Sequence, residues 1–515
     1  MNPAEWLRRT AALKPDTPAL FHGEDLVADY SEFARRAAAI AAALRARGTV
    51  KGDRVAILMK NCTDYLEALY GIWWSGAVAV PINAKLHGKE AAWIIEDAGA
   101  QLVFASDDTA CDLVQQQTKC TKEVISAGSP AFVALRDGPV MPQPASIDRD
   151  DVIWLFYTSG TTGRPKGVMI TAQNITSMVL GYHDGVGTHD DGDATLYAAP
   201  MSHGAGIYNF MFVMGASRHV CPKSGGFDAA EIFNLAARVG PVSMFAAPTM
   251  VRRMIDYARQ SSETGDGLET IIYAGGPMYF ADIVEAVDLL GPRFAQIYGQ
   301  GECPMAITTL PKEFVSDRNH PRWRERLTSV GYQQSVSRVR VVDSDGNDVV
   351  GNDIGEIVVS GTAVMKGYWQ NPEATRNAIR NGWLWTGDMG ALDQDGFLTL
   401  HDRSKDLIIS GGSNIYPREV EEILLTDPNV AEASVVGKPH DEWGEVVVAC
   451  IVPTTGQRLD PAVLDNLCVA NIARFKRPKH YIELTALPKN NYGKIVKSEL
   501  REAIKLLDFD EENTC

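Results

Sequence analysis

The residues with the clearest capacity for chemistry lie between Tyr157 and Val168, in the stretch Tyr-Thr-Ser-Gly-Thr-Thr-Gly-Arg-Pro-Lys-Gly-Val. Its three glycines let the backbone turn its N–H groups toward one point. Hydroxyl side chains crowd the same point, and they belong to Thr158, Ser159, Thr161 and Thr162. Converging N–H and O–H donors suit an anion with many acceptor oxygens, most commonly a polyphosphate. Lys166 adds a positive charge that could follow a departing phosphate.

The spacing distinguishes this loop from the Walker phosphate-binding pattern. Lys166 follows Gly163 by three residues and is trailed by Gly167, whereas the Walker lysine is followed directly by Ser or Thr. A polar surface loop rich in turn formers is the alternative for such a stretch. The apolar run Val152–Phe156 precedes the loop and is typical of a buried strand that leads into it.

The elements that must position this loop alternate between helix and strand. In the first third of the chain we predict helices at Ser31–Ala46, Asp64–Trp74 and Lys89–Asp97, and strands at Arg54–Met59, Ala77–Val80 and Gln101–Ala105. Such βαβ repetition implies a parallel sheet with helices on its faces. Between Cys111 and Asp148 the pattern is weak and we assign little.

Four further strands end in small or polar turns. They are predicted at Thr195–Ala199, Val242–Ala246, Leu268–Tyr273 and Phe294–Tyr298. Ligands of open α/β sheets lie beyond the carboxyl ends of the strands. We therefore expect these four turns to line one cleft.

The character of the chain changes twice more. Val336–Val342 and Gly355–Ser360 are typical of antiparallel hairpins. Beyond Asp402 lies an α+β unit of about 110 residues, a plausible size for a small domain. Its predicted elements are the helices Pro417–Leu425 and Pro461–Ala473 and the strands Val430–Val436 and Val446–Val452. We expect an N-terminal domain over 1–402, with a β subdomain at about 330–402, a hinge at 403–406 and a C-terminal domain at 407–515.

Composition limits the function classes. A chain of 515 residues is too long for one core, and its net charge of −16 argues against nucleic acid as a partner. The eight scattered cysteines form no Cys-x-x-Cys pair, which fits a reducing compartment, so we expect a cytoplasmic protein. The apolar run Tyr70–Val80 is too short to span a bilayer, so no stable membrane insertion is expected. Whether the chain forms a homodimer is left open.

The signature Tyr157–Gly167 resembles the nucleotide loop of the adenylate-forming superfamily. That superfamily comprises acyl-CoA and aryl-CoA synthetases, firefly luciferase and the adenylation domains of peptide synthetases. Further matches cover most of the chain, which is similar to 4-chlorobenzoate CoA ligase and the phenylpropenoid CoA ligases. The resemblance implies an α/β fold: a large N-terminal region of βαβ sheets, a small β-barrel-like subdomain and a mobile α+β C-terminal domain. It implies ATP, Mg²⁺ and CoA as cofactor and co-substrates.

The motif Tyr298-Gly299-Gln300-Gly301-Glu302 resembles the family's Tyr-Gly-x-Thr-Glu, with Gly301 in place of Thr. A carboxylate opposite a triphosphate loop suits a shared Mg²⁺, so Glu302 and Thr158 are the predicted metal ligands. Asp388 resembles the family's ribose-binding aspartate, and Arg403 the arginine that contacts ribose and phosphate. The predicted ATP-binding set is Thr158, Ser159, Gly160, Thr161, Thr162, Gly163, Lys166, Gly275, Gly276, Pro277, Gln296, Tyr298, Gly299, Asp388, Arg403 and Lys494.

Lys494 lies in a stretch, Leu487–Ile495, that resembles the family's catalytic-lysine loop. Attack of a carboxylate on the α-phosphate joins two anions, so a positioned ammonium lowers the barrier. The predicted catalytic set is Lys494, Glu302, Thr158 and His203. Lys405 matches the family's hinge position. For CoA the resemblance suggests Gly411, Gly412, Trp443, Phe475 and Arg477, with burial of the two aromatic residues in the core as the alternative.

The predicted acyl pocket consists of His203, Gly204, Ala205, Ile207, Tyr208, Gly276, Gly301, Met305 and Gly331. Its many small residues suggest a wide pocket. No lysine or arginine occurs in these segments, which argues against a dicarboxylate, whose second charge would be buried unpaired. We expect an acid-CoA ligase for an aromatic or arylalkanoic acid. A medium- or long-chain fatty acid ligase, or a stand-alone enzyme that loads a carrier protein, is the alternative.

Overall fold

The computed structural model describes residues 1–116, 118–158, 165–276, 278–349, 351–403, 406–410, 413–440, 443–490 and 494–505. The first of its four sheets has six strands, in the order Glu123–Ser126, Leu102–Ala105, Arg54–Leu58, Val78–Pro81, Val152–Thr158 and Lys166–Thr171. All neighbours are parallel except the last pair, which flanks the signature loop. The βαβ prediction is therefore confirmed for this sheet.

Helices connect the strands of this sheet, at Thr63–Ser75, Gly88–Ala98, Asp107–Gln115 and Pro130–Arg136. The helix Pro130–Arg136 and the strand Glu123–Ser126 fall in the region where the sequence predicts little, and the helix Asp107–Gln115 ends in it. Ser129 begins the fourth helix because its side chain accepts from the amide of Phe132 and proline follows at the first helical position.

The second sheet has nine strands: Tyr332–Gln333, Cys303–Leu310, Phe294–Gln300, Leu268–Tyr273, Val242–Ala246, Ala194–Leu196, Arg218–Cys221, Pro18–His22 and Asp25–Asp29. The four strands expected to end at one cleft are adjacent and parallel in it. The strand predicted at Thr195–Ala199 is shorter, because the Asn61 amide donates to the carbonyls of Tyr197 and Ala199.

Helices cover this sheet as well. They are Ala4–Leu13, Tyr30–Ala46, Ala172–Gly185, Gly204–Ile207, Asn209–Gly215, Ala229–Val239, Pro248–Ser261, Phe280–Leu290, Lys312–Ser316 and Trp323–Thr328. Helix Thr63–Ser75 is buried along nearly its whole length because it contacts strands of both sheets. Its Trp73 packs against Trp154 and Phe210, which joins the layers into one core.

A third, antiparallel sheet of five strands forms the β subdomain. Its strands are Ser337–Val342, Gly355–Gly361, Trp383–Leu392, Ile379–Arg380 and Leu398–Arg403, with a helix at Pro372–Ala378. The predicted hairpin at its start is confirmed. One stretch beside it, residues 365–369, leaves the subdomain and pairs with the strand that follows the signature loop.

The fourth sheet belongs to the C-terminal part of the chain. Its strands are Ile408–Ser410, Ser413–Ile415, Val430–His440, Gly444–Pro453 and His480–Glu483, and its helices are Pro417–Leu424, Pro461–Asn471 and Lys497–Lys505, with a 3₁₀ turn at Arg474–Lys476. Arg418 connects it to the preceding part by donating to the carbonyls of Met278 (3.2 Å) and Leu400 (3.4 Å). Within the described ranges no helix is both long and apolar enough to cross a membrane.

Candidate active site

The site forms where two strands from different sheets end beside each other. Strand Val152–Thr158 of the first sheet leads into the signature loop, and strand Phe294–Gln300 of the second leads to Glu302. The two ends meet at Gly301, where a β-carbon would lie 2.4 Å from Cγ2 of Thr158 and 2.9 Å from the ring of Phe156. Only glycine permits this approach without a shift of its neighbours. The structure thus brings together the two motifs that the sequence assigned to ATP and Mg²⁺.

This contact corrects one expectation about the acyl pocket. We expected Gly301, in place of the family's Thr, to widen that pocket. The space is instead occupied by Thr158 and by Phe156, a residue that the sequence did not single out. A missing side chain opens a pocket only when nothing else packs into the same volume.

The two strand ends are joined by the stretch 365–369. The amide of Met365 donates to the carbonyl of Glu302 at 2.8 Å, and the amide of Trp369 donates to the carbonyl of Gly167 at 2.7 Å. The backbone therefore connects the Glu302 loop to the strand that carries Lys166. This stretch comes from beside the β subdomain, about two hundred residues after the signature loop, and no sequence spacing could have indicated it.

Tyr368, within this stretch, contacts the side chains of both motifs. Its hydroxyl donates to Oε1 of Glu302 at 2.6 Å, and Nζ of Lys166 lies 5.1 Å from the centre of its ring. Burial and the neighbouring Glu302 carboxylate raise the pKa of Tyr368 well above its ordinary value, so the hydroxyl remains a donor. Sequence reasoning missed Tyr368; its only local signal is the aromatic pair that follows Gly367.

Asp388, the predicted ribose-binding residue, is held by two residues of the strand Phe294–Gln300, which leads to Glu302. Oδ2 of Asp388 accepts from the hydroxyl of Tyr298 at 2.7 Å and from the side-chain amide of Gln300. The amide of Gln300 also donates to the carbonyl of Thr386 at 3.0 Å. Arg403 lies opposite Asp388 in the neighbouring strand. Three of the motifs assigned to the nucleotide thus meet in one corner.

The glycines near the nucleotide corner differ in their surroundings. Gly275 has a φ of +86°, and no heavy atom of the described residues lies within 4 Å of the position where a β-carbon would lie, so the backbone is open to a ligand there. A β-carbon on Gly299 would lie 2.5 Å from the amide nitrogen of Met305, so this glycine serves packing within the protein. Gln296 is buried inside its strand, two residues before Tyr298.

His203 lies beside Phe156, the residue whose ring also lies next to Gly301. Its ring packs edge-on against Phe156 with 4.9 Å between the ring centres, and its Nδ1 lies 3.0 Å from Oγ of Ser202. Burial lowers the pKa of His203 to about 3, so the imidazole is neutral at physiological pH. It therefore contributes a neutral aromatic surface rather than a positive charge.

The glycines on the acyl side do not make the pocket wide. A β-carbon on Gly204 would lie 2.6 Å from Cε of Met305 and 2.9 Å from Cζ of Phe245, and one on Gly331 would lie 1.9 Å from the carbonyl oxygen of Thr309. The wide-pocket interpretation is therefore wrong at these positions, because neighbouring atoms already fill the volumes. Gly276 is more open, because among the described residues only Pro248 lies near the position of a β-carbon, at 3.8 Å. Phe245 is a second pocket residue that the sequence did not indicate.

Beyond Gly204 the predicted acyl residues Ala205, Ile207 and Tyr208 are buried. Ala205 and Tyr208 line a cavity of about 10 Å³, enough for one water molecule. The Tyr208 ring packs 5.0 Å from that of Tyr182 and 6.3 Å from that of Phe245. The acyl side is thus lined mainly by aromatic rings and Met305.

In the C-terminal part, Lys494 is exposed and lies next to the antiparallel bridge between Lys489 and Ile495. Its amide donates to Oδ1 of Asn490 at 3.0 Å, and its carbonyl accepts from the amide of Asn490 at 2.8 Å. The predicted CoA residues Trp443 and Phe475 are 48% and 51% exposed, so the alternative that they are core residues is wrong. Arg477 pairs with Asp465 at 2.5 Å.

Several predicted site residues lie outside the described residues. They are Ser159, Gly160, Thr161, Thr162, Gly163, Pro277, Lys405, Gly411 and Gly412, together with the side chain of Arg403. Their assignments, and the hinge at 403–406, stay predictions.

Comparison with known proteins agrees with this geometry. The family model described as AMP-binding enzyme matches residues 7–369, and the AMP-binding enzyme C-terminal domain matches residues 419–494. A feruloyl-CoA synthase of Amycolatopsis sp is 35% identical over 496 residues, covering 96% of this chain and 98% of its own. The fatty acid–[acyl-carrier-protein] ligase ScoC of Streptomyces coeruleorubidus is 33% identical and covers 95% of this chain and 94% of its own.

A solved structure extends the comparison to the whole fold. ATP-bound MatB from Rhodopseudomonas palustris superposes with a TM-score of 0.88 at 29% identity, over 98% of this chain and 99% of its own. The expected α/β architecture, with a large N-terminal region, a small β subdomain and an α+β C-terminal domain, is thereby confirmed. The chain belongs to the AMP-binding enzyme family and is, within it, an acid–thiol ligase of the AMP-forming acyl-CoA synthetase type.

Proposed function

We propose that this enzyme joins a ring-bearing carboxylic acid, one without a second charged group, to CoA in two steps that consume ATP. In the first, a carboxylate oxygen bonds to the α-phosphorus of ATP as the bond to pyrophosphate breaks, which gives the acyl-adenylate. In the second, the CoA thiol loses its proton and its sulfur bonds to the acyl carbon as the bond to AMP breaks. The single observation that carries the choice of acid is the aromatic, uncharged lining of the acyl side.

That lining consists of the rings of Phe156, His203, Phe245 and Tyr208, with Met305 over Gly204. Aromatic rings pack favourably against one another edge-on or offset, which suits a ring-bearing substrate. Because the pKa of His203 is about 3, this residue offers no positive charge to a second carboxylate. The similarity to a feruloyl-CoA synthase also supports an aromatic acid.

The chain's own residues suit the first step in distinct ways. Tyr298 and Gln300 hold the carboxylate of Asp388, which would accept hydrogen bonds from the ribose hydroxyls. Lys166 would pair with the phosphates, and Lys494 would neutralise the charge that develops as the carboxylate attacks the α-phosphate. The neutral rings on the acyl side would exclude water from the acyl-adenylate.

The donors present fit Mg²⁺ as a cofactor that arrives with ATP. Oε1 of Glu302 accepts a hydrogen bond from Tyr368. Among the described residues, neither Oε2 of Glu302 nor the hydroxyl of Thr158 has a hydrogen-bond partner, so both could bind a metal. Across the described part of the chain no cluster of three or more His, Cys, Asp or Glu could hold a metal by itself. Mg²⁺ commonly takes one or two carboxylates plus substrate phosphates, so Glu302 and Thr158 would hold it. When bound, it neutralises phosphate charge.

The decisive experiment measures acid-dependent pyrophosphate release and thioester formation with acetate, decanoate, benzoate, coumarate and an arylpropionate. We expect the highest kcat/KM for a ring-bearing acid. Preference for acetate would contradict the proposal, and preference for decanoate would support the fatty acid alternative.

A second candidate, loading of a carrier protein, is favoured by the similarity to ScoC. An assay that offers CoA and a phosphopantetheinylated carrier protein to the same enzyme distinguishes this candidate from CoA ligation. The exposed rings of Trp443 and Phe475 support CoA, because exposed aromatic rings can stack on its adenine. Thioester on the carrier with none on CoA would favour the second candidate.

A further inference from the structure

One side chain, Tyr368, contacts both groups that would hold Mg-ATP. Its hydroxyl lies 2.6 Å from Oε1 of Glu302, and its ring face lies 5.1 Å from the ammonium of Lys166. Lys166, Glu302 and Tyr368 come from three separate regions of the chain. Among the described residues, no other makes a hydrogen bond, ion pair or ring contact with the side chains of both Glu302 and Lys166.

Tyr368 is itself held firmly. It is 8% exposed, and its amide donates to Oγ1 of Thr375 at 2.9 Å. The next residue, Trp369, is fixed at two points, because its amide donates to Gly167 and its indole N–H donates to the carbonyl of Asp97 at 3.1 Å. A side chain held in this way can restrict the groups that it contacts.

The hydrogen bond from Tyr368 also fixes the orientation of the Glu302 carboxylate. A carboxylate that accepts a hydrogen bond on one oxygen is restricted in rotation, and its second oxygen then points to a defined place. Within the described residues that second oxygen has no hydrogen-bond partner. The same ring attracts the Lys166 ammonium to its face. One residue can therefore preorganise a carboxylate and a cation together.

We propose that Tyr368 is a positioning residue of the adenylation step, which orients Glu302 and Lys166 toward Mg-ATP before the nucleotide binds. This inference rests on the proposed function, in which Glu302 holds the metal and Lys166 the phosphates. It assigns to the stretch 365–369 the task of setting the geometry of two loops that are remote in sequence.

The test is a double-mutant cycle with Tyr368→Phe and Glu302→Gln. Partners that orient a metal ligand typically account for about 10–100-fold in metal affinity. We expect Tyr368→Phe to raise the Mg²⁺ concentration for half-maximal adenylation by about tenfold, and Glu302→Gln to raise it further. The double variant should match Glu302→Gln alone, because Tyr368 acts through that carboxylate.

A readout besides turnover is Mg²⁺-dependent ATP binding measured by calorimetry. Tyr368→Phe should weaken it by a similar factor, while thioester formation from supplied acyl-adenylate stays unchanged. Tyr70→Phe is the matched control, because this buried hydroxyl donates at the same 2.6 Å to Oδ1 of Asn209, away from Glu302. It should leave the Mg²⁺ response unaltered even if it lowers thermal stability.

The contact with Lys166 is tested by a separate pair of variants. Tyr368→Phe keeps the ring beneath the ammonium, whereas Tyr368→Leu removes it, so only Tyr368→Leu should raise the KM for ATP further. Equal KM values for these two variants would overturn the Lys166 part. If Tyr368→Leu does not fold, Tyr368→Met replaces it.

The outcomes separate this inference from the function on which it rests. Effects of Tyr368→Phe and Glu302→Gln that multiply in the double variant would overturn the positioning role. A normal Mg²⁺ response in Tyr368→Phe beside an impaired Glu302→Gln would overturn it as well and leave the proposed function intact. A normal Mg²⁺ response in Glu302→Gln would instead contradict the metal assignment in the proposed function.

Discussion

The nucleotide side and the acyl side of the site are built on different principles. On the nucleotide side, Glu302 and Asp388 are each held by short hydrogen bonds from Tyr368, Tyr298 and Gln300. On the acyl side, His203 and its neighbours are held mainly by packing of rings and of Met305. Hydrogen bonds are directional and costly to break, whereas packed volumes can be exchanged for one another. The first side should therefore tolerate little change, and the second should change substrate preference when its volumes change.

The largest effect is expected on the nucleotide side, from Lys494→Ala. Loss of a group that stabilises transition-state charge costs about a hundredfold or more in rate, so acyl-adenylate formation should fall by that factor. Conversion of supplied acyl-adenylate to thioester should persist. Measurement of each half-reaction separately checks this.

Lys489→Ala is the matched control, since Lys489 belongs to the bridge beside Lys494 but pairs with Glu432 at 2.6 Å. Equal losses in both variants, or loss of both half-reactions in Lys494→Ala, would contradict a specific role for Lys494.

The boundary between the two sides can be probed at Gly301. In Gly301→Thr the added atoms would meet Thr158 at 2.4 Å and Phe156 at 2.9 Å, so both must shift. We expect adenylation to fall by between about tenfold and a hundredfold, since a misplacement of about 1 Å can cost a hundredfold. The double variant Phe156→Leu/Gly301→Thr, in which a smaller side chain replaces the ring, should recover most of the lost adenylation rate. Failure of the second change to rescue the first would show that Phe156 is not the obstacle.

A smaller, substrate-dependent effect is expected on the acyl side. Gly204→Ala adds a methyl group 2.6 Å from Cε of Met305, a flexible side chain that can move toward the substrate. We expect kcat/KM to fall by about tenfold for ring-bearing acids, the lower end of the range for one methylene in a pocket, with less change for small acids. Met305→Ala should have the opposite effect. A parallel rise in the KM for ATP would contradict the separation of the two sides.

The smallest effect on activity is expected from the protonation of His203. Its pKa of about 3 lies below the ordinary 6.5, so kcat/KM should show no inflection from this residue between pH 6 and 8. The unfolded state binds the proton more readily, so His203 lowers stability as the pH falls from about 6.5 toward 3. Acid unfolding of His203→Phe should be correspondingly less steep. Titration of His203 near pH 6.5, observed by NMR, would contradict this.

Much of the nucleotide side could be anticipated from the sequence. Two short motifs carry this information: Tyr298–Glu302 joins a strand end to polar groups, and Trp385–Asp388 places polar groups inside the strand Trp383–Leu392. Arg218–Cys221 and the strands before residue 30 were not anticipated, because strands of four or five residues carry little periodicity. Tyr368 was missed for a different reason: its role depends on a backbone pairing with a segment about two hundred residues away.

By itself, the sequence determined the alternation of strands and helices, the donors of the nucleotide loop and the carboxylates and lysines available for the chemistry, since these follow from local patterns. Only the tertiary structure decided what the glycines mean. Gly275 is open to a ligand, whereas Gly301, Gly204 and Gly331 are filled from across the fold by Phe156, Met305 and the backbone of Thr309. The physical reason is that an absent side chain is a local property, but the volume it leaves belongs to whichever atoms the fold packs against it.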